Sequence, residues 1–411
     1  MKKNLLFFLL IFSTLAAFTQ EIDTDKMYFQ ALEEYRSGNY ISSLDLTSKA
    51  LAAAPEYHDI RMLQVRNRYA LKRFEESDRD LEYLLSEAPH YVGVKNLAIQ
   101  RLHQLEAQAA LHYIDRLLYI YGQEPDLNIL RARFLLNDNR PEEAGKLATE
   151  IYRNSSLSDG QRYILHQIIN LTVKNSVQVT GQYISFSDDY PRNDAWYALS
   201  AEYQHNFSKM AIIGRATYSD RSYNDGSLYE IEAYPIFSKK FYGFGNVGFS
   251  NGEIFPDFRA SASVFYNFAP SFEAEMGFRS MNYGGNHYFT GIGGLTTYAG
   301  RFYFNARAFI GPERLEKLIQ NYQFNIRYYL STPENYIFGR LGTGISPDEP
   351  TLYTRTQENP TLEAFYFNSG INKTVGIHHV IMLSGGMLFE DLPNDEEGQQ
   401  FTASLGYRYK F

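Results

Sequence analysis

The residues of this sequence that could do chemistry are charged side chains that alternate with apolar ones in its C-terminal half. They are Arg215, Glu230, Glu232, Arg259, Glu273, Glu275, Arg279, Arg307, Arg327 and Arg408. Alternate residues of a β-strand share one face, so these side chains could line a polar path for a sugar or an ion. They could instead form ion pairs that satisfy buried charges. Because both signs are present, we favour the ion pairs and keep the polar path, with its arginines and neighbouring tyrosines, as the alternative.

Hydrolytic catalysis would need a nucleophile beside an oriented base. The C-terminal half offers His287 and the adjacent pair His378 and His379 as bases. Three serines lie in predicted strands, and no sequence spacing links any of them to a histidine: Ser280, Ser369 and Ser384. Adjacent strand residues point to opposite faces, which argues against a metal site at His378 and His379. We therefore predict that the protein is not an enzyme and has no catalytic residue, no metal site and no cofactor.

The bulk composition narrows the function classes further. The chain has no cysteine, which excludes disulfides and thiolate metal sites. Its net charge of −8 gives no support for binding nucleic acid, so no nucleic-acid partner is expected. The acidic segment "EDLPNDEEGQQ" could bind calcium, but solvated loop charge is the favoured interpretation.

The first residues, "MKKNLLFFLLIFSTLAAFTQ", have the pattern of a signal peptide. Two lysines precede an apolar stretch, and small residues follow it near a plausible cleavage site. We assign residues 1–20 to this signal and predict export. No later stretch reaches the roughly 18 apolar residues that a transmembrane helix needs, so a membrane could be crossed only by strands.

The composition changes near residues 172–176. Ser176 is preceded by only 5 of the 29 glycines, 12 of the 34 tyrosines and 7 of the 30 phenylalanines. The earlier part is rich in Leu, Ala, Glu and Arg, which favours helices. We predict a helical domain over residues 21–172 and a β domain over residues 176–411.

The helical part repeats with a period of 34 residues. Tyr40 and Phe74 are 34 residues apart, as are Pro55 and Pro89, and Pro125 follows 36 residues later. A 34-residue helix–turn–helix period is that of the tetratricopeptide repeat. In the resemblance, Ala50 and Ala144 occupy the small packing positions of the second helix. About four repeats fit, and such stacks either bind a peptide or protein on a concave surface or serve as a scaffold without a ligand.

The β part breaks into about 14 segments of strand length, with 12 to 16 allowed. The predicted starts are 176, 195, 209, 226, 240, 257, 271, 287, 301, 319, 334, 361, 377 and 399. Segments of about ten alternating residues, joined by short turns and longer loops in alternation, are typical of an antiparallel transmembrane β-barrel. "NYGGN" and "GPERLEK" are assigned to the longer loops.

The chain ends in "FTASLGYRYKF", which predicts a last strand with one apolar face. This strand should pair with the first, around "SVQVTGQYISF", and so leave no free edge. Its aromatic residues resemble the signal that the outer-membrane barrel-assembly machinery reads, carried by Phe401, Tyr407, Tyr409 and Phe411.

An exported helical-repeat segment followed by a Tyr- and Gly-rich barrel with an aromatic C-terminus resembles the YaiO-type outer-membrane β-barrel family. The layout is also similar to that of polysaccharide exporters. The resemblance implies a protein of the Gram-negative outer membrane whose repeats lie in the periplasm. Its expected partners are the lipid bilayer, the barrel-assembly machinery, a periplasmic protein on the repeats and a glycan.

The leading functional prediction is a porin-like pore for export or passage of a hydrophilic solute such as a polysaccharide. One alternative is a non-conducting anchor that presents the repeats. Another is a barrel enzyme that modifies envelope lipid or glycan, which a serine–histidine pair at hydrogen-bond distance near the membrane face would favour.

Overall fold

The structure is a computed structural model. It describes residues 23–154, 156–188, 194–222, 224–251, 254–314, 317–344, 364–392 and 396–411. The predicted signal peptide over residues 1–20 lies outside the described residues, and so do residues 393–395 of the acidic segment considered for calcium. The chain divides into two compact units, and the division falls between Asp138 and Asn139.

The first unit is helical. Its helices are α1 (Thr24–Arg36), α2 (Tyr40–Ala53), α3 (His58–Ala70), α4 (Phe74–Glu87), α5 (Val94–Leu102), α6 (Ala107–Tyr121) and α7 (Pro125–Asn137). Among the described residues, no helix is both long enough and apolar enough to cross a bilayer.

A 34-residue repeat is visible in the contacts as well as in the sequence. Tyr57 donates a hydrogen bond from its hydroxyl to Asp25 at 2.6 Å, and 34 residues later Tyr91 donates to Asp59 at 2.8 Å. Because the same bond recurs between consecutive helix pairs, the pairs stack in the same way. The predicted helical solenoid is confirmed.

The turn between paired helices also repeats, although its residue type does not. Gly38, between α1 and α2, has a φ of +83°, and Lys72, between α3 and α4, has a φ of +59°. Tyr40 and Phe74 then begin the second helix of each pair. Lysine therefore takes the left-handed conformation that glycine adopts more easily.

The predicted packing residues occupy three kinds of position. Ala50 and Ala144 are fully buried. Pro55 and Pro89 each follow a helix by two residues. Pro125 differs, because it is the first residue of α7, where its missing N–H costs no hydrogen bond. The wider 36-residue spacing reflects this shift.

The second unit contains two helices and a closed sheet. The helices are α8 (Pro141–Asn154) and α9 (Asp159–Thr172). The strands are β1 (Asn175–Phe186), β2 (Trp196–Phe207), β3 (Met210–Asp220), β4 (Asp225–Pro235), β5 (Phe241–Ser250), β6 (Phe258–Ala269), β7 (Phe272–Tyr283), β8 (Asn286–Ala299), β9 (Phe302–Arg314), β10 (Lys317–Tyr329), β11 (Tyr336–Thr343), β12 (Ala364–Val375), β13 (His379–Leu392) and β14 (Glu396–Lys410).

The fourteen strands form one antiparallel barrel in which each strand pairs with its neighbours in sequence. Closure comes from β1 and β14, whose register runs from Ser176 opposite Lys410 to Phe186 opposite Gln400. The predicted pairing of the last strand with the first is confirmed, and so is the 14-stranded barrel. No strand of the sheet keeps a free edge.

The two ends of the barrel differ in their connections. We call the end where β1 begins and β14 ends the terminal rim, and the other end the loop rim. Connections at the terminal rim have two to six residues, whereas those at the loop rim include 187–195, 251–257 and 344–363. Three predicted loops are wrong. Gly284 and Gly285, both with positive φ, close a tight hairpin within "NYGGN". Strands β9 and β10 take up most of "GPERLEK", and strands β13 and β14 take up most of "EDLPNDEEGQQ".

The exterior face of the barrel is apolar. Met276 is 77% exposed, and Leu295 and Leu405 are each 61% exposed. Aromatic pairs lie towards both rims, such as Phe241 with Tyr266 and Phe278 with Phe289. An apolar exterior with aromatic residues towards both rims is the architecture of an outer-membrane β-barrel.

Candidate functional site: the barrel interior

The barrel interior is lined with charged and polar side chains. On β4, Tyr229 and Ile231 are exposed on the exterior, while the intervening Glu230 is buried. The same alternation leaves Phe258 outside and Arg259 buried on β6. All ten charged residues singled out in the sequence lie at strand positions that alternate onto this interior face.

An ion cluster centres on Arg215 of β3. Its Nε donates to Glu202 Oε1 at 2.8 Å, and its Nη1 donates to Glu232 Oε1 at 2.8 Å and to Glu230 Oε2 at 3.4 Å. Arg259 Nη1 lies 3.4 Å from the other oxygen of Glu230. The cluster joins β2, β3, β4 and β6 across the wall, as ion pairs that satisfy buried charges do.

The interior carboxylates of β7 also have donors. Arg307 Nε donates to Glu275 Oε2 at 2.7 Å, and the Tyr242 hydroxyl donates to Glu273 Oε2 at 2.8 Å. Arg279 lies with its guanidinium 5.0 Å from the centre of the Phe244 ring. In this sector of the barrel, arginines and carboxylates therefore alternate along the wall and offset each other.

The opposite sector, formed by β10–β14 and β1, contains a cavity of about 300 Å³ in the half of the barrel nearer the terminal rim. Arg327, Arg340 and Arg408 line it, together with Gln178 and Asn325. Sequence reasoning singled out Arg327 and Arg408 but missed Arg340. The missed residue follows Gly339 in a short strand, where few neighbours indicate the alternation.

A loop folds against the interior at the loop rim. Ile254 and Phe255, from the β5–β6 connection, are at most 2% exposed and pack against Leu228 and Met281. The fully buried Arg221 guanidinium lies 5.8 Å from the centre of the Phe255 ring. This apolar cluster narrows the interior near the loop rim.

Helix α9 contacts the terminal rim. The Lys410 ammonium donates to Asn170 Oδ1 at 2.7 Å and forms an ion pair with Glu334 of the β10–β11 turn. His166, one turn before Asn170, is 3% exposed. Burial and the nearby cations Lys410 and Arg162 lower the pKa of His166 to about 4, against the opposing effect of Glu334.

One serine–histidine pair, which the sequence did not indicate, lies on the exterior face. Ser280 Oγ and His287 Nε2 are 2.8 Å apart, on β7 and β8 beside the Gly284–Gly285 turn. The stacked rings of Phe278 and Phe289 lie on the same face, two residues from Ser280 and His287 respectively. The hairpin brings together two residues that are seven apart in sequence. The periodicity of the strands does not predict that these two residues meet.

The other histidines of the barrel have structural partners. His378 Nδ1 lies 2.8 Å from the Lys410 carbonyl oxygen, and His379 Nδ1 lies 2.7 Å from the Tyr407 hydroxyl. Within the part of the chain that the structure describes, no group of three histidines or carboxylates is arranged to hold a metal ion.

Solved structures resemble the two parts of the chain separately. The outer membrane protein Omp33 of Acinetobacter baumannii matches with 10% identity and a TM-score of 0.38, covering 58% of this chain and 98% of that one. The monoaromatic hydrocarbon channel CymD matches with 9% identity and a TM-score of 0.41, covering 60% and 92%. A tetratricopeptide-repeat protein of Thermus thermophilus matches with 15% identity and a TM-score of 0.25, covering 35% and 80%.

These similarities carry no information about a ligand or partner at such TM-scores. A search of curated proteins finds no match to the chain. The family model described as "YaiO membrane beta barrel domain" matches residues 174–349, a range that contains β1 to β11. Through this range, the protein carries a YaiO membrane β-barrel domain preceded by tetratricopeptide-like helices.

Proposed function

We propose that the protein passes a hydrophilic solute across the outer membrane, with a glycan as the leading solute class. The observation that carries the proposal is a closed barrel whose exterior is apolar and whose interior is lined with buried charges such as Glu230 and Arg279. Side chains of this kind can replace the water around a polar solute. The arginine and tyrosine side chains of the interior are the candidate groups that bind the solute.

We also propose that the repeats lie in the periplasm and bind a protein there. The strand number is even, so both ends of the barrel sequence lie at the terminal rim, where the connections are short. Short connections face the periplasm in barrels of this class. Helix α9 leads into β1 through Val173 and Lys174 alone, which supports a periplasmic position for the helices.

The test of passage is ion conductance of the purified full-length protein in a planar bilayer. We expect steady conductance, and a larger value for Phe255→Ala, because this ring is part of the cluster that narrows the interior. Phe249→Ala is the matched control, since Phe249 is 61% exposed on the exterior. Equal conductance of the two variants would contradict a path past Phe255.

A non-conducting anchor is the second candidate, and the ion cluster around Arg215 favours it. Four carboxylate contacts of Arg215 and Arg259 join strands across the wall, which stabilises the barrel whether or not a solute passes. Absence of conductance from the wild type and from Phe255→Ala alike would favour this function over passage.

A barrel-embedded hydrolase is the third candidate, and the Ser280–His287 pair favours it. A serine that donates to a histidine can act as a nucleophile, and this pair lies where an acyl ester of a membrane lipid could reach it. The test is covalent labelling by a fluorophosphonate. Labelling that disappears in Ser280→Ala but persists in Ser369→Ala would support the hydrolase, and equal labelling of both variants would exclude Ser280 as the nucleophile.

A further inference from the structure

We infer that the cavity lined by Arg327, Arg340 and Arg408 binds the anionic group of a small solute, a carboxylate or a phosphate carried on a saccharide-sized molecule. We call this cavity the arginine cavity. The inference rests on the proposed function in one respect, because the ligand must enter the barrel interior. It adds the charge of the solute, which the proposed function leaves open.

The first argument is charge. Among the described residues that line the arginine cavity, three are arginines and none is an aspartate or glutamate. In the other sector, carboxylates do line the wall, and Arg215, Arg259 and Arg307 each have a carboxylate oxygen within 3.4 Å. Positive charges grouped in a low-dielectric enclosure create a strong local potential that attracts an anion.

The second argument is orientation. The Arg327 guanidinium lies 4.9 Å from the centre of the Tyr303 ring and 5.0 Å from that of the Tyr336 ring. Aromatic faces hold a guanidinium without neutralising its charge. The plane of Arg327 is therefore fixed before any ligand binds, which lowers the entropic cost of binding.

Neutral amides orient the other two arginines. Arg408 donates from Nε to Gln178 Oε1 at 2.8 Å, and Arg340 donates from Nε to Asn325 Oδ1 at 2.8 Å. These two bonds use the Nε hydrogens and add no negative charge. Held through its Nε in this way, the Arg408 guanidinium presents the planar fork that binds carboxylate and phosphate through paired hydrogen bonds.

The third argument is the size and polarity of the cavity. Its volume of about 300 Å³ is at the lower end of the range of small-molecule sites. Asn372, Ser384 and Ser404 line it beside the arginines, and their amide and hydroxyl groups can bond to sugar hydroxyls. A charged monosaccharide unit matches this combination better than a bare inorganic ion.

The test is calorimetric titration of the full-length protein with three sugars: D-glucuronate, D-glucose 6-phosphate and D-glucose. The first differs from glucose in carrying a carboxylate, and the second in carrying a phosphate, so the two arms distinguish the anion. We expect at least one anionic sugar to bind about tenfold more tightly than glucose or better, the effect of one charge-assisted hydrogen bond.

Variants locate the site. Arg327→Gln and Arg408→Gln should each weaken binding of the anionic sugar about tenfold, and Arg408→Lys should restore part of the loss because it keeps the charge but not the fork. The matched control is Lys239→Gln, which removes one positive charge from an exposed turn at the same rim. Circular dichroism establishes that each variant folds before it is titrated.

Two results would overturn the inference. One is equal affinity for glucose and for both anionic sugars. The other is a loss of affinity in Lys239→Gln as large as that in Arg408→Gln, which would indicate general electrostatic attraction. Conductance of the same samples separates the proposals: conductance without selective binding overturns only the anion site, whereas selective binding without conductance overturns only passage.

Discussion

At the scale of the residue, the arginines of the interior meet two kinds of partner. Arg215 and Arg307 contact carboxylates at 2.7–2.8 Å, whereas Arg327 lies between tyrosine rings and Arg408 donates to an amide. The first kind offsets charge within the wall, and the second keeps charge available to a ligand. The role of an interior arginine therefore depends on its neighbours on adjacent strands and not on its residue type alone.

His166 makes a pH-dependent contribution to stability. Its pKa is lowered to about 4 from 6.5, chiefly by burial, and charged Lys410, Glu334 and Arg162 and the Tyr152 ring surround it. Protonation favours the unfolded state, so stability present above about pH 6.5 is lost as the pH falls towards 4. We expect α9 to lose roughly 1 to 2 kcal/mol between about pH 7.5 and pH 5.

The measurement is hydrogen exchange of the α9 amides, corrected for the intrinsic exchange rate at each pH. His166→Gln should remove most of the pH dependence, and His112→Gln, at an exposed position of α6, should not. An unchanged pH dependence in His166→Gln would assign the effect to another group.

Phe411 is predicted to carry part of the barrel-insertion signal. It is 51% exposed, its ring lies 5.8 Å from that of Tyr409, and its backbone bonds to Asn175 of β1. Phe411→Ser should leave these backbone bonds possible but reduce the fraction of protein recovered as folded barrel in outer-membrane extracts. Tyr119→Ser, at an exposed aromatic of α6, is the control, and equal recovery of the two variants would contradict the assignment.

At the scale of the element, close packing of the first helix pairs depends on small residues. Ala50 of α2 is fully buried, and Asn67 of α3 donates to Ser43 of α2 at 2.8 Å. Such an approach of two helices leaves no room for a larger side chain at Ala50.

Ala50→Leu should therefore destabilise the helical unit by about 1 to 3 kcal/mol, the usual cost of overpacking. Ala52→Leu, two residues along the same helix at an exposed position, should change the free energy of unfolding by less than about 0.5 kcal/mol. Thermal unfolding followed by circular dichroism at the helical band measures both. Similar melting of the two variants would show that the 34-residue pattern misidentifies the packing position.

At the scale of the whole molecule, the compact units do not coincide with the change from helix to strand. The helices end at Thr172, yet α8 and α9 belong to the same unit as the barrel. The contacts of Asn170 with Lys410, and of Lys174 with Glu142, account for this. The last two helices are therefore part of the structural unit that the barrel forms.

Two truncations test this division. A chain without residues 23–138 should unfold at nearly the temperature of the full-length protein, as followed by its heat-modifiable migration on a gel. A chain without residues 23–172 loses Asn170, one of the two side-chain partners of Lys410. It should unfold lower by at least about 2 to 4 °C, the shift that 1 kcal/mol produces in a domain of this size. Equal unfolding temperatures of the two truncated chains would show that α8 and α9 do not stabilise the barrel.

The sequence by itself determined the strands, because a strand facing lipid on one side and a polar interior on the other must alternate with period two. Each of the fourteen predicted starts lies within three residues of the observed one. It also determined the interior face of residues such as Arg259 and Glu275, and the 34-residue stacking of the helices, since each repeat must bury its apolar face on the next.

Only the tertiary structure decided which interior charges meet. Arg215 contacts Glu202 and Glu230 because the register of β2, β3 and β4 places both glutamates directly opposite it. Periodicity along one strand contains no information about the register between strands. The Ser280–His287 pair depends in the same way on a two-residue turn. The arginine cavity arises because β1, which is distant in sequence from β10–β14, lies beside them once β14 closes on β1.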